Sequence, residues 1–363
     1  MWLYISIAIK HKKLLTVSIF FACTLLIGIS LLWRFITIAT TTTTQTLLLP
    51  SSGTYYGYYL SRLNTHPQNP TISLLTNEKP SLTMYYQDWA GDQPFDIVFM
   101  NTLSDQHVIP VVTWEPWNQK EAEKGQKIQV AYSSQVIASG RYDAFITRWA
   151  KKAAEFKKPY FLRFAHEMNG NWYPWGNVGK STSEDYKRMW IHVHSLFEKA
   201  GATNTLWVWS PNNTDETGSR ASLVSFYPGD AYVDWVGYSG FNWGNTAYTH
   251  WLSFLQISQD TYGILSQFNK PIMVAETSSV GKGGNKAQWF DDLITNLPTL
   301  PRIKAIIFYN DNDRENDFKL SSGMNSSEVI TTNIVNNSYM IKNPIIQTTT
   351  QHNSINSLWN HIQ

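Results

Sequence analysis

Tyr160-Phe-Leu-Arg-Phe-Ala-His-Glu-Met-Asn-Gly-Asn-Trp-Tyr-Pro-Trp-Gly176 opens as a strand and closes as a turn-rich loop, and that change decides the fold. Residues 160–164 are aromatic and apolar apart from Arg163, in the manner of a short buried strand, whereas Asn169-Gly170 and Tyr173-Pro174 are turn signals. His166 and Glu167 therefore fall at the carboxyl end of a strand, where open α/β sheets and α/β barrels place their reacting groups. Aromatic side chains follow at once, so a proton-transferring carboxylate and flat faces for a sugar ring arrive together.

Outward from this stretch, short apolar runs recur with helical patterns between them, the signature of repeated βα units and a parallel sheet. Eight runs are expected as strands: Thr54–Tyr59, Leu82–Gln87, Val108–Thr113, Tyr160–Phe164, Leu206–Trp209, Val233–Tyr238, Ile272–Ala275 and Ala305–Tyr309. Eight implies a closed (β/α)8 barrel, an α/β fold of the TIM type. Arg141–Glu155 carries Phe145, Trp149 and Ala153 at helical spacing, and Ser183–Ala200 carries Tyr186, Trp190 and Leu196, as outer helices would.

The domain plan has five parts. Residues 1–13 are a cytoplasmic N-terminus. Residues 14–38 form a transmembrane helix that acts as an anchor or uncleaved signal, because Leu14 to Trp33 is unbroken by charge and follows Lys10, Lys12 and Lys13. Residues 39–52 are a threonine-rich linker, 53–340 the barrel and 341–363 a C-terminal tail. The barrel is thus expected outside the cytoplasmic face of a cell membrane, held by one span, or secreted if cleavage occurs near Thr37-Ile-Ala39.

Charged residues make up 15% of the 363-residue chain and the net charge is +2, so no field capable of holding nucleic acid is available. The single cysteine, Cys23, lies in the apolar N-terminal run, leaving the barrel without a disulfide, a thiol nucleophile or a thiolate metal site. His166-Glu167 would begin the zinc-binding pattern His-Glu-x-x-His, but Gly170 stands where the second histidine belongs. No Walker or dinucleotide fingerprint is present, and neither metal nor cofactor is expected. The chain is expected to act as a monomer on a polysaccharide or oligosaccharide.

Residues just beyond each strand converge on one rim of a barrel, and here they alternate acids with tryptophan: Asp88-Trp89, Trp114-Glu115-Pro-Trp117, His166-Glu167, Asn242-Trp243 and Glu276. Acids interleaved with aromatics describe a carbohydrate cleft. Trp89, Trp114, Trp117, Trp172, Trp175 and Trp243 offer faces for sugar rings, with dense core packing as the other outlet for an aromatic content of 14%. Glu167 and Glu276, at the ends of the fourth and seventh strands, are expected to face each other. A gap of about 5–5.5 Å would support double displacement with retention, and one of roughly 6.5–9.5 Å would admit a water and give inversion.

Arg163-Phe-Ala-His-Glu-Met-Asn-Gly170 with Trp172-Tyr-Pro-Trp-Gly176 resembles glycoside hydrolase family 26, whose members include β-mannanases, mixed-linkage β-glucanases and β-1,3-xylanases. Tyr227-Pro-Gly-Asp-Ala-Tyr-Val-Asp-Trp-Val-Gly237, Asn242 and Ala275-Glu276-Thr277 continue the likeness in order. The resemblance implies a retaining endo-β-glycosidase in which Glu167 is the acid/base and Glu276 the nucleophile. It implies that His166 lies against nucleophile and substrate, that Arg163 orients the carboxylates and that Trp172 is part of the sugar platform. It favours β-1,4-mannan, with β-1,3-1,4-glucan, another β-glucan or β-1,3-xylan as the alternative. A membrane-tethered, non-catalytic glycan-binding barrel is the alternative from another class. One position departs from the family pattern: Phe241 stands where a tyrosine usually donates its hydroxyl to the nucleophile. Tyr238 is the nearest other source of a hydroxyl, although residues three apart in a strand face opposite ways.

Overall fold

The computed structural model describes residues 38–355 except 60, 62–78, 177–180, 248, 314 and 321–332. The chain divides into two compact units, Gln45–Gln347 and a second made of Met1–Thr44 with Thr348–Gln363. In the larger unit eight parallel strands close on themselves: β1 Thr54–Tyr59, β2 Leu82–Asp88, β3 Ile109–Glu115, β4 Tyr160–Phe164, β5 Thr205–Trp209, β6 Trp235–Asn242, β7 Ile272–Ser279 and β8 Ile303–Tyr309. Closure is made by β1 against β8, with Tyr55 opposite Ala305 and Tyr59 opposite Tyr309.

Alternation along the strands sorts the core into an inner and an outer layer. Tyr55, Met84, Val111, Phe161, Val208, Met273 and Ile307 fill the barrel. Tyr56, Val112, Trp114, Leu162, Phe164, Trp209, Tyr238 and Phe308 face outward to the helices. Those helices include α1 Ile97–Asp105, α2 Asp143–Phe156, α3 Ser183–Ala200, α4 Phe254–Leu265 and α5 Lys286–Asn296. Amphipathic spacing explains their docking: α2 buries Phe145, Ile146, Trp149, Ala153 and Phe156 on one face, and α3 buries Tyr186, Met189, Trp190, Val193 and Phe197. Side-chain caps fix where α3 and α4 begin, with capping boxes of Thr182 with Asp185 and Ser253 with Gln256.

Several strands run further than their sequence implies. β3 extends through Glu115, β6 through Asn242 and β7 through Ser279, so acids placed beyond strand ends belong to the strands themselves. In β7 strict alternation from inward Met273 and Ala275 would turn Glu276 toward the helices. Register shifts against β6, between Tyr238 and Ser239, and against β8, between Val274 and Thr277, turn it inward instead.

The threonine run expected as a linker is partly strand: Ile38–Leu47 pairs with Ile346–Ile355 as a separate two-stranded sheet. β-branched threonine suits an extended backbone, which a reading of the run as a low-complexity spacer overlooks. Where the expected barrel meets the expected C-terminal tail, Met340–Ile341 pairs with Thr54 and Tyr55 of β1. The apolar run Leu14 to Trp33 lies outside the described residues, and among the described residues no helix is long and apolar enough to cross a membrane.

Candidate active site

After Phe164 the chain leaves β4 through Ala165 and Glu167, both with positive φ, 45° and 52°. For residues with a Cβ this backbone region costs about 1 to 3 kcal/mol each and persists only where the surroundings enforce it. Here the enforcement is visible: Ala165 N–H donates to the carbonyl of Trp114 at 3.1 Å, and Glu167 N–H to that of Ser210 at 2.8 Å. The two adjacent strand ends thus hold the turn that presents His166 and Glu167 to the barrel mouth.

Arg163, the inward residue of β4 below that turn, is fully buried and surrounded by acceptors. It reaches Ser210 at 3.1 Å, Ser239 at 2.6 Å and Oε2 of Glu276 at 2.9 Å, and its guanidinium lies 3.9 Å from Oε1 of Glu167. Arg163 therefore ties β4, β5, β6 and β7 together and sits between the two carboxylates. Glu276 is further held by Ser239, whose hydroxyl donates to Oε2 at 3.1 Å, and by Tyr86 of β2, whose hydroxyl donates to Oε1. One carboxylate oxygen from each of Glu167 and Glu276 and one ring nitrogen of His166 all lie within 4.8 Å of one another. Those three residues are the described group closest to a metal-binding set. The Arg163 guanidinium already supplies the positive charge at Glu276 that a cation would bring.

The surroundings separate the ionisable groups. Burial, followed by the nearby charge of Glu276, pushes the Glu167 carboxyl up to about 6. Burial, reinforced by Arg163, holds His166 well below the usual imidazole range, so its ring is neutral. Glu115, inward on β3 and buried, is driven well above the usual carboxylate range mainly by desolvation. One acid poised near 6 beside a carboxylate paired with a buried arginine is the division of labour that acid/base chemistry on a sugar needs.

Trp172 comes to the acid edge-on, its indole N–H donating to Oε2 of Glu167 at 2.9 Å. Gly170 makes this possible: a Cβ there would lie 2.3–2.4 Å from the Trp172 ring. Gly170→Ala would have to push the ring about 1 Å off Glu167 and is expected to lower kcat roughly 10- to 100-fold. Turnover measured beside a thermal melt checks this; full kcat in the variant would mean that the Trp172 contact is idle.

Other expected site residues divide into two groups. Trp117 and Trp243 are half-buried near the mouth, Trp117 edge-on to Tyr173 at 4.9 Å and Trp243 packed on Phe241 and Phe318 at 5.8 and 5.0 Å. Trp89, Trp114, Trp175, Tyr238 and Asn242, by contrast, are buried and belong to the scaffold. Trp114 points outward from β3 between Trp89 at 4.7 Å and Trp149 at 4.7 Å, where strand parity places it. Trp175 donates its indole N–H to the carbonyl of His166 at 2.7 Å and stacks on Tyr173 at 4.4 Å, thereby fixing the turn. Asn242 ties its own loop together, accepting from Gly244 and Leu252 and donating to Ser279. Tyr238 lies in the outer layer with Ile257 of α4.

Tyr86, Ser210, Ser239, Thr113 and Tyr173 are the site's neighbours that the sequence reading does not assign to the site. The first four sit on the inward parity or at the carboxyl ends of strands, and an inner-face tally carried one residue further along each strand identifies them. Tyr173 lies inside the quoted loop, its ring 4.8 Å from His166.

The family model described as glycosyl hydrolase family 26 matches residues 106–326. Endoglucanase H of Acetivibrio thermocellus is 31% identical over 279 residues, covering 75% of this chain and 29% of that protein. A mannan endo-1,4-β-mannosidase of Bacillus subtilis is 25% identical over 177 residues, covering 46% of this chain and 45% of that one. The chain thus spans less than half the length of these curated relatives. Among solved structures, a β-mannanase from Bacteroides ovatus superposes with a TM-score of 0.61 at 16% identity, covering 80% of this chain and 91% of that one, which shows the shared barrel.

Proposed function

The chain belongs to glycosyl hydrolase family 26, and on that footing we propose that it is an endo-acting, retaining β-glycosidase that cleaves β-1,4-mannan-type polysaccharide. The observation that carries the reading is the approach of the Glu167 and Glu276 carboxylate oxygens to within 4.8 Å. That gap falls on the short side, with the separations that support direct attack by a carboxylate.

In the first step protonated Glu167 gives its proton to the glycosidic oxygen while a Glu276 oxygen forms a bond to the anomeric carbon and the glycosidic C–O bond breaks. In the second, Glu167 as a carboxylate takes a proton from water, the water oxygen bonds to the anomeric carbon and Glu276 leaves as the anion. Arg163 and Ser239 fix Glu276 throughout, while Trp172 fixes Glu167.

β-1,4-Mannan is favoured because a mannan endo-1,4-β-mannosidase of Bacillus subtilis is similar to this chain over 177 residues and a β-mannanase of Bacteroides ovatus shares its barrel. A second reading, mixed-linkage β-glucan, rests on the longer match to endoglucanase H and on Phe241 in place of a tyrosine. Reducing-sugar release from galactomannan, glucomannan, mixed-linkage β-glucan, β-1,3-glucan and β-1,3-xylan decides between them. Cleavage of mannan substrates supports the first reading, and cleavage of glucan alone replaces it with the second. Binding without cleavage of any would leave a non-catalytic glycan-binding barrel. The proposal includes a monomer tethered by residues 14–38 with its barrel outside the cytoplasm, on the strength of the charge-free run behind three lysines. Recovery of the full chain in washed membranes, and its sedimentation in detergent, are the measurements for these points.

Glu167 also sets a pH dependence. The glycosylation step needs its proton, which is held below about 6 and lost above it, so kcat/KM is expected to fall tenfold per pH unit beyond that value. A profile flat from pH 5 to about 8 would contradict the assignment of Glu167 as the acid.

A further inference from the structure

Each oxygen of Glu276 is held by different partners, and the difference bears on which one reacts. Oε2 carries the charged contact to Arg163 at 2.9 Å and the Ser239 hydroxyl at 3.1 Å. Oε1 takes the Tyr86 hydroxyl. Charge-assisted bonds are roughly twice as strong as neutral ones, and breaking a buried ion pair leaves an uncompensated charge. Attack through Oε2 would have to loosen that pair inside the barrel. Attack through Oε1 leaves Arg163 and Ser239 in place on the oxygen that becomes the ester carbonyl.

Tyr86 is well placed to aim Oε1. It lies on the inward parity of β2 after Leu82 and Met84, and its ring is braced edge-on by Tyr59 at 5.0 Å and lies 5.9 Å from His166. β2 is three strands from β7 around the barrel through β8 and β1, and β4, which supplies Arg163, is three strands away in the other sense. The nucleophile is therefore gripped from both flanks. Phe241, on the adjacent strand β6, has no hydroxyl to offer, and its ring packs on Tyr309 and Phe318 at 5.5 and 5.1 Å.

We propose that Tyr86 is the positioning residue that aims Oε1 of Glu276 at the anomeric carbon and so makes Oε1 the attacking oxygen. This rests on the reading of Glu276 as the nucleophile. Burial keeps the Tyr86 phenol well above its ordinary range, so it acts as a neutral donor and keeps its proton. In the step itself the Oε1–C1 bond forms, the bond from C1 to the glycosidic oxygen breaks, and the proton received by the leaving oxygen comes from Glu167.

The test compares Tyr86→Phe with Tyr238→Phe in the full chain. Both lose only a hydroxyl, but Tyr238 lies in the outer layer. Each is assayed for kcat and KM and for covalent labelling by a 2-deoxy-2-fluoroglycosyl fluoride, with the rate counted per folded molecule and the labelled residue found by mass spectrometry. For Tyr86→Phe the labelling rate and kcat are expected to fall about 10- to 100-fold with KM unchanged within about twofold, while Tyr238→Phe behaves as the parent. A label on Glu276 at the parental rate in Tyr86→Phe overturns the assignment of Tyr86 and leaves the nucleophile standing. A label on another residue removes the premise.

Discussion

Glu276→Ala is expected to lower kcat on the preferred polysaccharide by about 10⁴- to 10⁶-fold, the scale on which a covalent nucleophile matters. The fold should survive, because the substitution removes one acceptor shared by Arg163, Ser239 and Tyr86 and leaves the strand pairing of the barrel untouched. The buried Arg163 charge then relies on Ser210 and Ser239. Some loss of melting temperature accompanies the loss of rate, since breaking a buried pair costs about 3 to 5 kcal/mol where no water enters. Azide fits the space left behind and attacks from the vacated side, so added azide should restore turnover of an activated aryl glycoside and yield a glycosyl azide of inverted configuration. Unchanged turnover in Glu276→Ala without azide would remove Glu276 from the chemistry.

Glu167→Ala has the second-largest expected effect and a different signature. Losing the general acid should cost about 10²- to 10⁴-fold on polysaccharide, whose leaving oxygen needs a proton. A dinitrophenyl glycoside leaves without one, so the glycosylation step on that substrate is nearly preserved. The second step then lacks its base, and the glycosyl-enzyme accumulates as a burst followed by slow release. Azide needs no deprotonation and should speed that release, giving this time a glycosyl azide of retained configuration, because Glu276 still makes the first displacement. An equal loss on polysaccharide and dinitrophenyl glycoside would deny Glu167 the acid role. The opposite azide products of the two variants separate the two carboxylates more sharply than either rate does.

Much of this arrangement was legible in the chain because periodicity and turn chemistry are local. The eight barrel strands are legible in this way, and the sequence places Glu167 and Glu276 at the carboxyl ends of the fourth and seventh of them. What escaped reading was set by contacts between strands. Glu276 faces inward only because of register shifts against β6 and β8, which no pattern within residues 272–279 announces. Trp114 reads as a rim aromatic in the sequence, but β3 ends two residues later than expected, which returns it to the outward parity and the core, and Trp89, just past the end of β2, packs against it there. Trp175 supports His166 through its backbone carbonyl, a role fixed by the fold of a loop rather than by residue type. Tyr86 was hidden for a related reason: its hydroxyl meets Glu276 across the barrel, 190 positions away in sequence. The apolar segment 14–38 is in a different position, since it lies almost wholly outside the described residues.

The central claim is that Glu167 and Glu276 act as acid and nucleophile in one double displacement, and its direct measurement is the configuration of the first product. Proton NMR of early hydrolysis on the best substrate of the panel resolves the anomeric signals before mutarotation mixes them. The 4.8 Å approach of the two carboxylates predicts that the β-anomer appears first and the α-anomer grows in later. An α-anomer present first would mean that water attacks directly, and it would contradict the account.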